Sequence, residues 1–315
     1  MPYSNSPLEP VSRYFRDHPK TARILALIVL VCVLAACWAV GYVLERKEAG
    51  YAKYTYIDAP LSEEELAEDF SYLAVSELDE MTESREYREI DLNQEDSVLE
   101  IHEGGDYRLK GKLNGQIHIS APDQVVHLYL DGVEISSKSG PAIWCSDAAK
   151  LVLTLTEGSE NTISDSGDYR SYVDEEGCIY SVSDLTINGS GSMKVFGYYK
   201  DAIRSKDIVK ILGGNSSIKC KRSAVHGNDG VVVTGGTIEI SSEKYGFRTT
   251  KLGADGRGSL LIRGGEISII AGRSAFVTTK ANVYLYNCHI VSHSVVSTYD
   301  IGGLHKVQEG CIDER

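Results

Sequence analysis

The sequence predicts an all-β fold, a parallel β-helix built from coils of about 22 residues, and three observations predict it. First, a segment recurs. "DAIRSKDIVKILGG" starts at Asp201, "AVHGNDGVVVTGGTIEI" at Ala224, 22 residues beyond Ala202, and "GFRTTKLGADGRGSLLIRGGEISI" at Gly246, another 22 on. The next copy, "AFVTTKANVYLYNCHI", starts at Ala275 because a loop is inserted near Gly253 to Gly258. Second, each copy carries period-two apolar runs between turn residues, such as Val231 and Val233 or Leu260 and Ile262, and none holds a helix-length stretch of 3.6-residue period. Third, each run ends on a glycine pair (Gly213–Gly214, Gly235–Gly236, Gly264–Gly265), where a corner needs positive φ, and Asn287 takes that place in the last copy. Imperfect copies start upstream at Cys178 and Ala142. Stacked at about 4.8 Å, such coils place equivalent residues in ladders around one continuous core.

The elements before the repeat follow in order. Residues 1–23 carry Arg13, Arg16, Lys20 and Arg23 and are expected as a cytoplasmic tail. Ile24 to Leu44 is an apolar run of about 20 residues, long enough to cross a bilayer as a helix, which puts the rest of the chain outside the cell. A competing reading takes Leu34-Ala35-Ala36-Cys37 as a lipobox with Cys37 lipidated; Trp38 to Leu44 stays apolar where a lipoprotein turns polar, which favours an uncleaved anchor. Residues 45–96 are acidic, lack the repeat and are expected as a solvated stalk, with a short helix where Ser62 and Glu65 stand at capping-box spacing. Residues 97–315 are expected as the β-helix.

Composition narrows the function. A formal net charge of −13 argues against nucleic acid and against an anionic membrane surface as partners. Beyond the anchor lie Cys145, Cys178, Cys220, Cys288 and Cys311; the count is odd, and the coil register sets no two of them facing on adjacent coils, so buried free thiols are expected.

Aligning the coils sets Trp144, Tyr180, Arg204, His226, Arg248 and Val277 in one outward column. Aromatic rings there would stack on sugar rings, and the cationic groups would hold carboxylates or hydroxyls, so the first five are the expected carbohydrate-binding residues. An ordinary polar face is the alternative. Asp207 and Asp229 are equivalent on successive coils and Asp201 lies near the same turn, so the three form a candidate site for one weakly held Ca²⁺, or else simply make the turns.

Three stretches, "LYLDGVEISSKSGPAIWCSDAAKLVLTLTEGSENTISD" from Leu128, "LTINGSGSMKV" from Leu185 and the "DAIRSKDIVKILGG" coils, resemble the bacterial carbohydrate-binding β-helix proteins related in fold to pectate lyases and found mainly on clostridial cell surfaces. The resemblance covers about Leu99 to Ile290. It implies a right-handed parallel β-helix, binding to cellulose or an acidic polysaccharide such as polygalacturonate, and calcium held between coils by Asp201, Asp207 and Asp229. The sequence has "SAV", "YGF" and "SAF" where that family has "DGI", so most of its calcium positions are lost. The expected function is a membrane-anchored, extracytoplasmic, non-catalytic polysaccharide-binding protein. A structural or adhesive surface protein and a polysaccharide lyase, with Arg204, His226 and Arg248 supplying base and charge stabilisation, are the alternatives.

Overall fold

The computed structural model describes residues 54–62, 64–66, 70–84, 86–95, 97–169, 175–251 and 257–315. The expected tail, membrane anchor, Cys37 lipid site and first part of the stalk lie outside the described residues.

Every strand ladder is parallel, and each strand pairs with the equivalent strand one coil on. Three faces result. The first contains Gly177–Ser181, Asp201–Ser205, Ser223–Gly227, Tyr245–Arg248, Ser274–Thr278 and Ser297–Ile301. The second contains Asp184–Gly189, Ile208–Ile211, Gly230–Val233, Ser259–Ile262, Val283–Leu285 and His305–Gln308. The third contains Ser192–Gly197, Asn215–Cys220, Thr237–Ser242, Glu266–Ala271, His289–Ser294 and Ile312–Glu314. Two long strands, Gln116–Ser136 and Ile143–Leu155, bend through more than one face in the first coils.

The repeat governs the core. Ile203, Val225, Phe247, Phe276 and Tyr299 form one inward ladder, in which the rings of Phe247 and Phe276 stack at 5.9 Å and those of Phe276 and Tyr299 at 5.6 Å. Ile187, Ile211, Val233, Ile262, Leu285 and Val307 form a second. These side chains belong to one continuous apolar cluster that runs the length of the β-helix. The expected corners are present: Gly214, Gly236, Gly265 and Asn287 have φ of 80°, 94°, 98° and 51°. A Cβ at Gly236 would lie 2.7 Å from the carbonyl oxygen of Gly214, so the corner also requires close backbone approach between coils.

Burial differs between faces. The third face alternates, as in Thr237–Ser242, with inner residues buried and outer ones exposed. The strands Gly230–Val233 and Ser259–Ile262 of the second face are buried on both sides, because Val232, Leu261 and Tyr284 point outward beneath a covering segment.

That segment corrects the stalk. From Tyr54 onward the described chain belongs to the same compact unit as the β-helix. Tyr54–Ile57 pairs in parallel with His305–Gln308 and covers the edge of the last full coil. The Ser62–Glu65 capping box forms as expected, Glu65 Oε2 accepting from Ser62 N at 2.8 Å. Phe70 and Leu73 then pack on Ile208, Val232, Leu261, Tyr284 and Tyr286, and Arg88–Asp91 joins the first coil beside Gly105–Leu113. The acidic composition read as solvation conceals a strap, because its apolar anchors are few and widely spaced.

One carboxylate fastens the strap. Asp79, fully buried at the end of the short helix Glu77–Glu80, accepts from Lys150 Nζ at 2.7 Å, Lys210 Nζ at 3.0 Å and the Thr186 hydroxyl. Asn188 Nδ2 donates to the Asp79 and Met81 carbonyls at 2.7 and 2.8 Å. Burial alone would raise the Asp79 carboxyl, but the hydrogen bonds from Lys150, Thr186 and Ser76 hold it well below the usual carboxylate range.

All five described cysteines are free thiols. Four are buried, and Cys220 stacks over Ser242 as expected. The register sets no two cysteines opposite each other, Cys288 aligning with Gly310, and burial and then the neighbouring Cys311 push the Cys288 thiol up.

Asp79→Ala is expected to cost about 3–5 kcal/mol in urea unfolding of residues 54–315, because Lys210 is left charged and buried; a loss below about 1 kcal/mol would show that the strap is held by apolar contact alone. His127 gives a pH signature. Burial holds its imidazole down to about 4, against an ordinary 6.5. The unfolded chain therefore takes up a proton that the fold refuses, so this contribution to stability is intact above about pH 6.5 and is lost as pH falls towards 4. His127→Phe, which keeps the ring stacked on Tyr129, is expected to flatten the unfolding midpoint across that interval.

Candidate carbohydrate-binding face

The column expected from the sequence exists in register. Trp144 pairs with Tyr180, Tyr180 with Arg204, Arg204 with His226, His226 with Arg248, and Arg248 with Val277. Two coils earlier it continues through His118 and Glu100, and one coil later it reaches Asp300. The first-face strands set these side chains on the outer surface because their neighbours, Ile179, Ile203, Val225 and Phe247, are the inward residues.

Accessibility divides the column. Trp144 is half-buried and lies flat on His118, the ring centroids 4.1 Å apart and the planes 15° from parallel. His118 is held in turn by Glu100, at 2.7 Å from Nδ1, and by the Ser146 hydroxyl at 2.8 Å from Nε2. Tyr180 is fully buried, with the Lys206 ammonium 6.0 Å from its ring, so the stacking role expected for it is not available to a ligand here. Arg204 pairs with Glu176 at 2.5 Å.

His226 is also covered. It is 2% exposed, with Nδ1 at 2.8 Å from Asp201 and Nε2 at 3.1 Å from the Thr250 hydroxyl. Burial pushes its imidazole below the ordinary value despite the Asp201 charge. Thr250 donates to Asn228 Oδ1 at 2.6 Å, and the Asn228 amide donates to Asp229 at 2.7 Å. The histidine expected at the surface is therefore a member of an internal network.

Arg248 differs from the others. It is half-buried, packs over Tyr245 at 5.5 Å and has no carboxylate within ion-pair distance among the described residues. Burial and the nearby Arg222 and Arg204 charges push its guanidinium down, against the pull of Asp201. Within the ladder it is the arginine that lacks a carboxylate partner among the described residues.

The three candidate calcium ligands do not come together. Asp201, fully buried, accepts four donors: Arg222 Nε at 2.7 Å and Nη2 at 2.6 Å, Ser223 N at 2.9 Å and His226 at 2.8 Å. Both oxygens are occupied, and these donors overcome burial to hold the carboxyl well below the usual range. Asp229 accepts from Lys251 at 3.2 Å and Arg257 at 3.0 Å. Burial and then the Asp184 and Asp229 charges raise Asp207. Among the described residues no three acidic, histidine or cysteine side chains are grouped as a cation would need. As it stands the donor set does not fit calcium, because cationic side chains already occupy Asp201 and Asp229.

Sequence reasoning missed Glu176, Arg222 and Tyr245. Glu176 lies just ahead of the strand Gly177–Ser181 and is held down to about 2: burial opposes this, but hydrogen bonds from Lys200, Arg222 and Arg204 prevail. It holds the place of Lys200 and Arg222 in its own coil, but that coil is an imperfect copy of the repeat, and spacing does not say which cations its carboxylate reaches. Arg222 was legible, since it stands immediately before the position equivalent to Asp201.

The chain is similar to known proteins. A family model described as "carbohydrate-binding domain-containing protein" matches residues 95–298. A relative of that description from Acetivibrio thermocellus is 31% identical over 127 residues, which is 38% of this chain and 44% of the relative, so the match spans less than half of that protein's length. A solved structure, the polysaccharide lyase-like protein from C. thermocellum as a gadolinium derivative, aligns with a TM-score of 0.69 and 25% identity over 73% of this chain and 99% of its own. With the family model covering nearly the whole β-helix, from before its second coil to the strand that begins at Ser297, the chain belongs to the carbohydrate-binding domain family.

Proposed function

We propose that this is a membrane-anchored, extracytoplasmic protein that holds a polysaccharide along the outward ladder of its first face without cleaving it. The observation that carries the reading is the pairing of an accessible aromatic with an uncompensated cation in one ladder. Trp144, backed by His118, offers a flat ring to a sugar, and Arg248, backed by Tyr245, offers a guanidinium to hydroxyl or carboxylate groups. They stand four ladder steps apart, about 19 Å, so one extended glycan would engage both. Arg204 and His226 serve the site from beneath: with Glu176, Asp201 and Arg222 they fix the charge and rigidity of the surface between the two contacts.

The lyase alternative draws on the neighbour described as polysaccharide lyase-like. Against it, His226 is buried and its partner Asp201 is saturated, so neither is an accessible base poised for proton abstraction between Trp144 and Arg248. The anchor at 24–44 rests on the length of the apolar run and the basic residues before it.

The test uses residues 54–315, which form one compact unit with the strap in place. Retention on cellulose, polygalacturonate and purified cell wall is measured while unsaturated product is monitored. Retention without product is expected; product release would establish the lyase, and retention on no glycan would favour the structural or adhesive role. Trp144→Ala and Arg248→Ala are each expected to weaken binding about tenfold, equivalent to about 1.4 kcal/mol, with the unfolding midpoint little changed. A chelator is expected to leave retention intact; loss of retention on chelation would overturn the conclusion that the carboxylates are already occupied.

A further inference from the structure

The four most exposed large apolar side chains among the described residues are Val295 (77%), Ile270 and Val296 (59% each) and Leu304 (58%), all at the C-terminal end of the β-helix. At Val295–Val296 and Leu304 the ladders show a change of chemistry in the last coils, whereas Ile270 gives way to His293 one coil on. Val295 and Val296 occupy the corner held one coil earlier by Gly272 and Arg273, and before that by Glu243 and Lys244, then Lys221 and Arg222. Leu304 follows Asn282, Ser259 and Gly230 at its position, and Ile270 follows Ser241 and Lys219. Lys306 and Arg315 stand among Glu309, Asp313 and Glu314, so no single sign of charge dominates this end.

The chain enters the folded unit at the same place. Tyr54 pairs with His305, the residue after Leu304. The apolar run of the sequence ends at Leu44, leaving residues 45–53 between it and Tyr54. Fully extended, such a linker spans about 30 Å, which is shorter than the stack of coils is long.

We infer that the C-terminal end of the β-helix is a lipid-contacting tip: the corners at Val295–Val296 and Leu304 seat in the headgroup region of the bilayer that holds the anchor. This inference rests on the membrane-anchor reading above. Apolar contact, with mixed charge around it, suits a zwitterionic interface rather than a strongly anionic one.

The test uses the full chain with Trp38→Phe and Trp144→Phe, which leaves no other tryptophan, reconstituted into phosphatidylcholine vesicles with or without brominated acyl chains. The Val296→Trp reporter is expected to show a blue shift on reconstitution and to lose fluorescence in the brominated vesicles. Val98→Trp, exposed at the opposite end, is expected to be unchanged, and adding Val295→Ser with Leu304→Ser is expected to reduce the loss at 296. A chain that floats with the vesicles while the Val296→Trp reporter stays unquenched overturns the tip and leaves the anchor standing. A chain that does not float overturns the anchor reading and the tip with it.

Discussion

Parallel stacking at about 4.8 Å is the constraint on which the structure depends. It sets each residue over its equivalent in the coil before, so a column is the unit that must be physically acceptable. Inward columns such as Ile203, Val225, Phe247 and Phe276 meet the requirement by being apolar throughout. The outward column of Arg204, His226 and Arg248 would repel itself, and the fold compensates from outside the column. Glu176 neutralises Arg204 and Arg222, and Asp201 binds Arg222 and His226. Arg248, which forms an ion pair with neither, keeps a charge available to a ligand.

The same constraint explains the strap. A solenoid face that points Val232, Leu261 and Tyr284 outward cannot be left in water, and an uncovered last strand would offer its backbone to another chain. The segment from Tyr54 to Asp91 meets both needs, pairing with the last full coil at one end and the first coils at the other. Asp79 fixes its position because only at that point does a carboxylate meet Lys150, Lys210 and Thr186 together.

These features give the binding face its character. Its residues stand on strands whose inner sides are locked in the core, and its buried charges are paired, so the surface is preorganised. The buried charges cost desolvation, which the bidentate Arg222–Asp201 contact offsets. A rigid ladder of this kind suits a repeating, extended ligand.

Much of this was determined by the sequence alone. The 22-residue spacing fixed the coil, the glycine pairs and Asn287 fixed the corners, and the alignment of Trp144, Tyr180, Arg204, His226 and Arg248 in one column followed from the period, because register is a local, repeating property. The strap and the state of each column residue were decided only by tertiary structure. Asp79 lies 71 residues from Lys150 and 131 from Lys210 in sequence, and nothing periodic connects them. Glu176 holds the same coil position as Lys200 and Arg222, but spacing did not say that its carboxylate would reach across to Arg204. The carboxylates read as calcium ligands illustrate the same point: Asp201 has the right residue type and spacing, but its partners Arg222 and His226 reach it from the next coil, and packing rather than periodicity determines which charge a buried carboxylate meets.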